Sequence, residues 1–161
     1  MPSPIGHALG GIAVGWASVP RRDVAGAAIL SAVASLPDLD LLFHSHRGQS
    51  HSVGAALIAG AFAWLVTRRA GWAIAVTAVW GSHVLLDWTS NDTRPPFGVM
   101  AFWPFTRAYY QASVDIFPAV SRRYWLGEFW IYNLKAVAVE VLILAPLAAL
   151  VVRRFRRTTG V

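Results

Sequence analysis

Three short clusters gather imidazoles and carboxylates at the ends of apolar stretches: Pro37-Asp38-Leu39-Asp40, His46-Arg47-Gly48-Gln49-Ser50-His51-Ser52 and Ser82-His83-Val84-Leu85-Leu86-Asp87. A further histidine, His7, opens the first apolar stretch. An aspartate at the centre of a membrane helix costs roughly 2.5–3.5 kcal/mol on insertion scales, so groups of this kind persist beside hydrocarbon where they act together. These are hard and borderline metal ligands, and their concentration predicts a divalent-metal site at a membrane face.

Each cluster has its own chemistry. His83 and Asp87 are four residues apart, which on a helix projects both from one face about 6 Å apart, within reach of one ion. The plainer alternative is a hydrogen-bonding pair between helices. Asp38 and Asp40 follow Pro37, which disturbs a helix and can turn both carboxylates toward a common point. Two such carboxylates repel unless a cation lies between them; the alternative is a helix-ending turn with solvated acids. His46 and His51 flank a turn containing Gly48, and Arg47 between them offers a bidentate guanidinium to a phosphate. Ser52 is placed to cap a helix whose N-terminus favours an anion. His44 reads as a headgroup-level histidine. A Ser-His nucleophile is disfavoured because Ser52 directly follows His51, and neighbours on a helix do not face each other. Lys135 and Glu140 lie inside an apolar stretch and receive no chemical role.

Composition sets the surroundings. The chain has 161 residues, 56% hydrophobic and 14% charged, with eight tryptophans and a mean hydropathy of +0.49. That charge content is well below the roughly 25% of a soluble domain and indicates membrane. The net charge of +6 does not indicate nucleic acid, because eight of the fourteen basic residues occur as Arg21-Arg22, Arg68-Arg69, Arg153-Arg154 and Arg156-Arg157 beside apolar runs. Membrane proteins mark cytoplasmic loops in this way. With no cysteine, disulfides and thiolate ligands are excluded. No cleaved signal peptide is expected.

The elements that must position the clusters are five apolar stretches, about Ile5–Val19, Val24–Phe43, Ser52–Val66, Gly71–Trp88 and Ile131–Val152. The second and fifth reach the ~20 residues of a full span, whereas the first and third are short for one. Between Thr89 and Trp130, prolines and aromatics predict an interfacial cap with short helices around Thr106–Phe117 and Val120–Phe129. The expected architecture is all-α: one domain over residues 1–161, a polytopic membrane bundle of about four or five helices under an aromatic-rich cap (89–130), with a basic tail (153–161). Placing the N-terminus outside puts all four Arg pairs inside, and His7, Asp38, Asp40, His46, His51, His83 and Asp87 all outside. The charge count was made without those residues, so their convergence on one face is independent of it.

The succession of His7, Leu36-Pro-Asp-Leu-Asp40, His46-Arg-Gly-Gln-Ser-His-Ser52 and Ser82-His-Val-Leu-Leu-Asp87, followed by Gly98-Val-Met-Ala-Phe-Trp-Pro-Phe105, resembles a family of inner-membrane metal-dependent hydrolases. Some bacterial members of that family are described as regulated by the SOS repressor. The family is distantly similar to zinc-dependent phospholipase C and P1 nuclease. The resemblance covers roughly residues 5–110. It implies that His7, Asp38, His46, His51, His83 and Asp87 are metal ligands, zinc first, with Asp40 a ligand or a neighbour of one. The expected activity is hydrolysis of a phosphoester or lipid headgroup at the extracytoplasmic face of the inner membrane. Asp38 or Asp40 would accept the proton of water, and Arg47 would offset developing charge. The expected partner is a membrane lipid or another amphiphile. The competing expectation is a non-catalytic membrane protein in which the cluster braces the bundle, and transport is a third.

Overall fold

The computed structural model describes residues 1–43, 47–93, 95–121 and 123–159. The first apolar stretch becomes α1 (Pro4–Gly15) because two local signals coincide at its start. The Ser3 side chain accepts the Gly6 N–H, and Pro4 sits where a missing N–H costs nothing. The second becomes α2 (Val24–Ser35), capped by Asp23 accepting from Gly26 N. At Pro37 the α-helix gives way to a 3-10 helix, Leu36–Phe43, since proline has no N–H to continue the ladder. Ser52 caps α3 (Val53–Thr67) by accepting from Ala55 N. Arg68 closes that helix in the left-handed region (φ 55), and α4 (Ala70–Trp88) follows. The last helix, α5 (Phe129–Thr159), contains Pro146 and runs on through the Arg cluster of the tail.

Among the described residues the fold is therefore helical, with two isolated β-bridges in the cap, Ser90 with Phe117 and Val99 with Tyr110. Two segments are long and apolar enough to cross a membrane: Val24–Leu42 and Phe129–Phe155, with mean hydropathies of 1.5 and 2.3.

The cap differs from expectation. No helix forms at Thr106–Phe117, and among the described residues of Val120–Phe129 only Phe129, the first residue of α5, is helical. The backbone groups that a helix would use are taken by distant partners. Ala112 N donates to Trp88 O and Ile116 N to Thr89 O, while Val120 N reaches Met1 O. The Asn133 side chain brackets Ser121, accepting from its N–H and donating to its carbonyl. The segment is thus pinned onto the end of α4 and the start of α1.

Two helices form the hub: α1 packs against α2, α4 and α5, and α4 packs against α1, α2, α3 and the 3-10 helix. Small residues permit this. A Cβ on Gly11 would lie 2.9 Å from Ala34 Cβ, closer than real Cβ contacts occur, and 3.1 Å from Val79 Cγ1, tighter than most. At one end of the bundle Trp16, Val19, Leu30, Ala34, Ala75 and Val79 form a buried cluster, with Trp72, Val151 and Phe155 packed on it. Arg22 covers that end, donating to the carbonyls of Trp16 and Ala17 and lying over the Phe155 ring. His7, His51, His83, Asp38, Asp40 and Asp87 gather at the other end.

Candidate metal centre

The 3-10 segment explains how two acids two residues apart serve one imidazole. With three residues per turn, positions i and i+2 point about 120° apart. Asp38 Oδ1 lies 3.6 Å from His51 Nε2, and Asp40 Oδ2 lies 3.1 Å from His51 Nδ1. The carboxylates straddle the ring and address its two nitrogens, where the sequence predicts a common point. Asp40 Oδ2 also accepts from Arg47 N (3.1 Å) and Ser50 Oγ (2.7 Å), so it fixes both the loop and the ring.

Four atoms converge beyond His51: Asp38 Oδ1, His51 Nε2, His83 Nε2 and Asp87 Oδ2, from residues whose ligand atoms all lie within 4.8 Å of one another. His51 Nε2 is 3.1 Å from His83 Nε2 and 3.2 Å from Asp87 Oδ2. His83 Nε2 is 3.7 Å from Asp38 Oδ1 and 3.6 Å from Asp87 Oδ2. A tetrahedral ion held at ~2.0–2.1 Å separates its ligands by about 3.4 Å, and these separations bracket that value. Both rings are oriented from behind, as metal-binding imidazoles are. His83 Nδ1 faces Ala34 O at 2.7 Å, and His51 Nδ1 faces Asp40 and Ser50.

Charge and burial agree with a cation. His51, His83 and Asp87 are fully buried, and Asp38 Oδ1 and both oxygens of Asp87 form no hydrogen bond of proper geometry. Buried carboxylate oxygens left so cost several kcal/mol unless a cation faces them. Asp38, Asp40, Asp87 and Asp92 surround the centre, with the Arg47 guanidinium among them. The chemistry and separations of the donor set fit a divalent ion. The Asp38 side chain remains 15% exposed, which gives the centre an edge toward solvent.

His7 lies against this set and outside it. Its ring stacks on His83 at 3.8 Å with an interplanar angle of 17°, and its Nε2 is 3.6 Å from Asp87 Oδ1. Both of its nitrogens lack a hydrogen bond. His46, expected as a ligand, and His44 lie outside the described residues.

Arg47 is placed differently from expectation. It occupies a left-handed backbone position (φ 63), a conformation that non-glycine residues adopt where the surroundings hold them. Its Nη1 pairs with Asp92, Nη2 is 3.4 Å from Ser90 Oγ, and Nε is 3.9 Å from Asp87 Oδ2. Asp92 also accepts from Gly98 N at 3.0 Å, and Met100 N donates to Arg47 O. The guanidinium therefore ties the cap to the histidine loop and balances the aspartates. Sequence reasoning missed Asp92 and Ser90, whose only signal is that they follow Asp87 closely. It also gave no role to Glu140, which is buried and accepts from Ser3 N (2.8 Å) and from Ser3 Oγ. That contact latches α5 to the start of α1, one turn before His7, and a Cβ on Gly6 would obstruct it at 2.6 Å from Oε2.

His51 lies in the loop between the apolar stretches, and its protonation follows from its neighbours. Burial works against the imidazolium, yet Asp38, Asp40 and Asp87 outweigh it and hold the pKa well above the usual histidine value. A ligating histidine must be neutral. Metal uptake near neutral pH is therefore expected to release about one proton per ion from this residue. Calorimetric titration of metal-free protein in two buffers of different ionisation enthalpy measures that number. A value of zero would show that His51 does not give up a proton to the metal, overturning either its charged state in the metal-free protein or its ligation.

Comparison with known proteins adds the family. Residues 1–159 match the family model described as YdjM inner membrane protein. No curated protein and no solved structure matches the chain.

Proposed function

We infer a function for this chain from two facts: it belongs to the YdjM inner membrane protein family, and four ligand atoms from the 3-10 helix, the loop and α4 meet at one end of its bundle. The reading is a metal-dependent membrane hydrolase acting on a phosphoester or similar group of a lipid or other amphiphile. The observation that carries it is the set of separations among Asp38, His51, His83 and Asp87, with an edge open at Asp38. A bound divalent ion of the zinc class lowers the pKa of coordinated water toward ~7 and polarises a phosphoryl oxygen.

The protein's own groups do the rest. Asp40 holds His51 Nδ1 and so keeps Nε2 directed at the centre. Ala34 O does the same for His83. Asp38, partly exposed, faces the side from which a substrate and water arrive, and is the carboxylate best placed to take a proton. Arg47 approaches Asp87 from behind and ties the cap to the loop through Asp92. His7 abuts the second oxygen of Asp87.

One observation favours a second reading. Four donor atoms are enough to fill the coordination of a structural ion, and a brace tying the 3-10 helix, the loop and α4 together would use the same residues. Metal analysis of detergent-purified protein, then assay of bis-p-nitrophenyl phosphate and phospholipid vesicles with and without chelator, separates the two. Chelator-sensitive hydrolysis supports the enzyme; bound metal with no turnover on either substrate supports the brace.

In the polytopic arrangement we propose, the centre faces the extracytoplasmic side and the Arg pairs face inward. A cysteine at Gln49 is then expected to react with an impermeant thiol reagent in intact cells, and one at Arg69 only after lysis. The reverse pattern would invert the orientation and the compartment of the site together.

A further inference from the structure

The helices α2 and α3 both pack on α4 and, among the described residues, do not pack on each other. The gap is a groove of about 750 Å³, inside the ~300–1,000 Å³ range of ligand sites. Val33 forms one wall, Ala59 and Phe62 the other, and Val76 and Trp80 the floor. It follows α3 from Thr67 to Ala55, roughly 18 Å at 1.5 Å per residue. That exceeds the ~15 Å half-thickness of a bilayer core.

One end of the groove reaches the loop that carries His51. Ser50 lines that end, donates its hydroxyl to Asp40 and lies 3.0 Å from His51 Nδ1. Trp80 Nε1 donates to the Ser50 carbonyl at 2.8 Å, and Trp103 of the cap closes the same end. Tryptophans at that level match the headgroup boundary.

The lining chooses the occupant. The groove is apolar along its length, and the surrounding medium of an inner membrane protein supplies hydrocarbon chains to fill it. We propose that this groove seats an acyl chain of a membrane lipid and delivers the polar end of that lipid to the His51–Asp38 edge of the centre. The delivery step rests on the hydrolase reading above; the seating of the chain does not.

The test uses full-length protein in vesicles containing phosphatidylglycerol with a photoactivatable group in its acyl chain, with adducts located by mass spectrometry. Wild type is expected to concentrate adducts on Val33, Ala59 and Val76, above the level at the outward-facing Leu57 and Leu65 of α3, which are 60% and 53% exposed. Ala59→Trp, and independently Val33→Phe on the opposite wall, is expected to lower groove adducts at least fivefold, with the Leu57 and Leu65 adducts unchanged. Retained metal content shows that a variant has folded. Uniform labelling of every apolar face, crosslinks between two copies along the groove, or folded variants that label like wild type would each overturn the proposal. In the activity arm, both variants are expected to lose tenfold or more on long-chain lipid and to keep hydrolysis of bis-p-nitrophenyl phosphate. Equal effects on both substrates would overturn the delivery step. A wild type inactive on both, with adducts still in the groove, leaves the chain seat standing and removes the hydrolase reading.

Discussion

His83→Ala is expected to strip the purified protein of its divalent metal, with occupancy down tenfold or more, and His51→Ala and Asp87→Ala are expected to do the same. Each removes one of four atoms spaced for a single ion, and a three-ligand remnant of a tetrahedral site holds metal far less tightly. Elemental analysis of protein equilibrated with a metal buffer gives the number directly. Asp40→Asn is expected to weaken binding by a smaller step, about 10–100-fold in affinity, because it only orients His51. His7→Ala, which removes a ring outside the four-atom set, is expected to cost less than any of the three. Stoichiometric metal in the His83→Ala protein would rule out the centre described above.

Arg47→Ala is expected to destabilise the folded protein by about 3–5 kcal/mol, the usual cost of removing one partner from a buried ion pair. The side chain of Arg47 is 4% exposed and that of Asp92 12%, so the abandoned carboxylate has little water to turn to. Its loss also removes the donor facing Ser90 Oγ and a positive group 3.9 Å from Asp87 Oδ2. Unfolding in detergent, followed by tryptophan fluorescence, measures the change. The double variant Arg47→Ala with Asp92→Ala is expected to recover part of the loss, because it removes the stranded charge as well. A single variant that unfolds like wild type and loses only turnover on an anionic substrate would return Arg47 to the substrate-binding role its sequence context first indicates.

Local chemistry is where the sequence was most legible. Ser52 caps α3 because a serine hydroxyl before an apolar helix has an unpaired N–H within reach. Pro37 ends α2 because it brings no N–H to the ladder. His83 and Asp87 share a face because 3.6 residues make a turn. The cap was misread for the complementary reason. Thr106–Phe117 has no strong local preference, and its backbone groups bond to Trp88, Thr89 and Val99, partners that no window of neighbouring residues contains.

By itself, then, the sequence determined the ligand types, the family-like order of the motifs and the helices that carry them, since each depends on interactions within a few residues. Only the tertiary structure decided which oxygen meets which nitrogen. Gly11 lets α1 reach Ala34 and Val79, the 3-10 turn sends Asp38 and Asp40 to opposite nitrogens of His51, and Asp92 captures the guanidinium that the sequence had free for substrate. These are contacts between residues 23 to 68 positions apart in the first case, and 11 to 45 in the others. Their geometry is fixed by how closely packed helices and a pinned cap can approach, a property of the whole bundle that no single segment encodes.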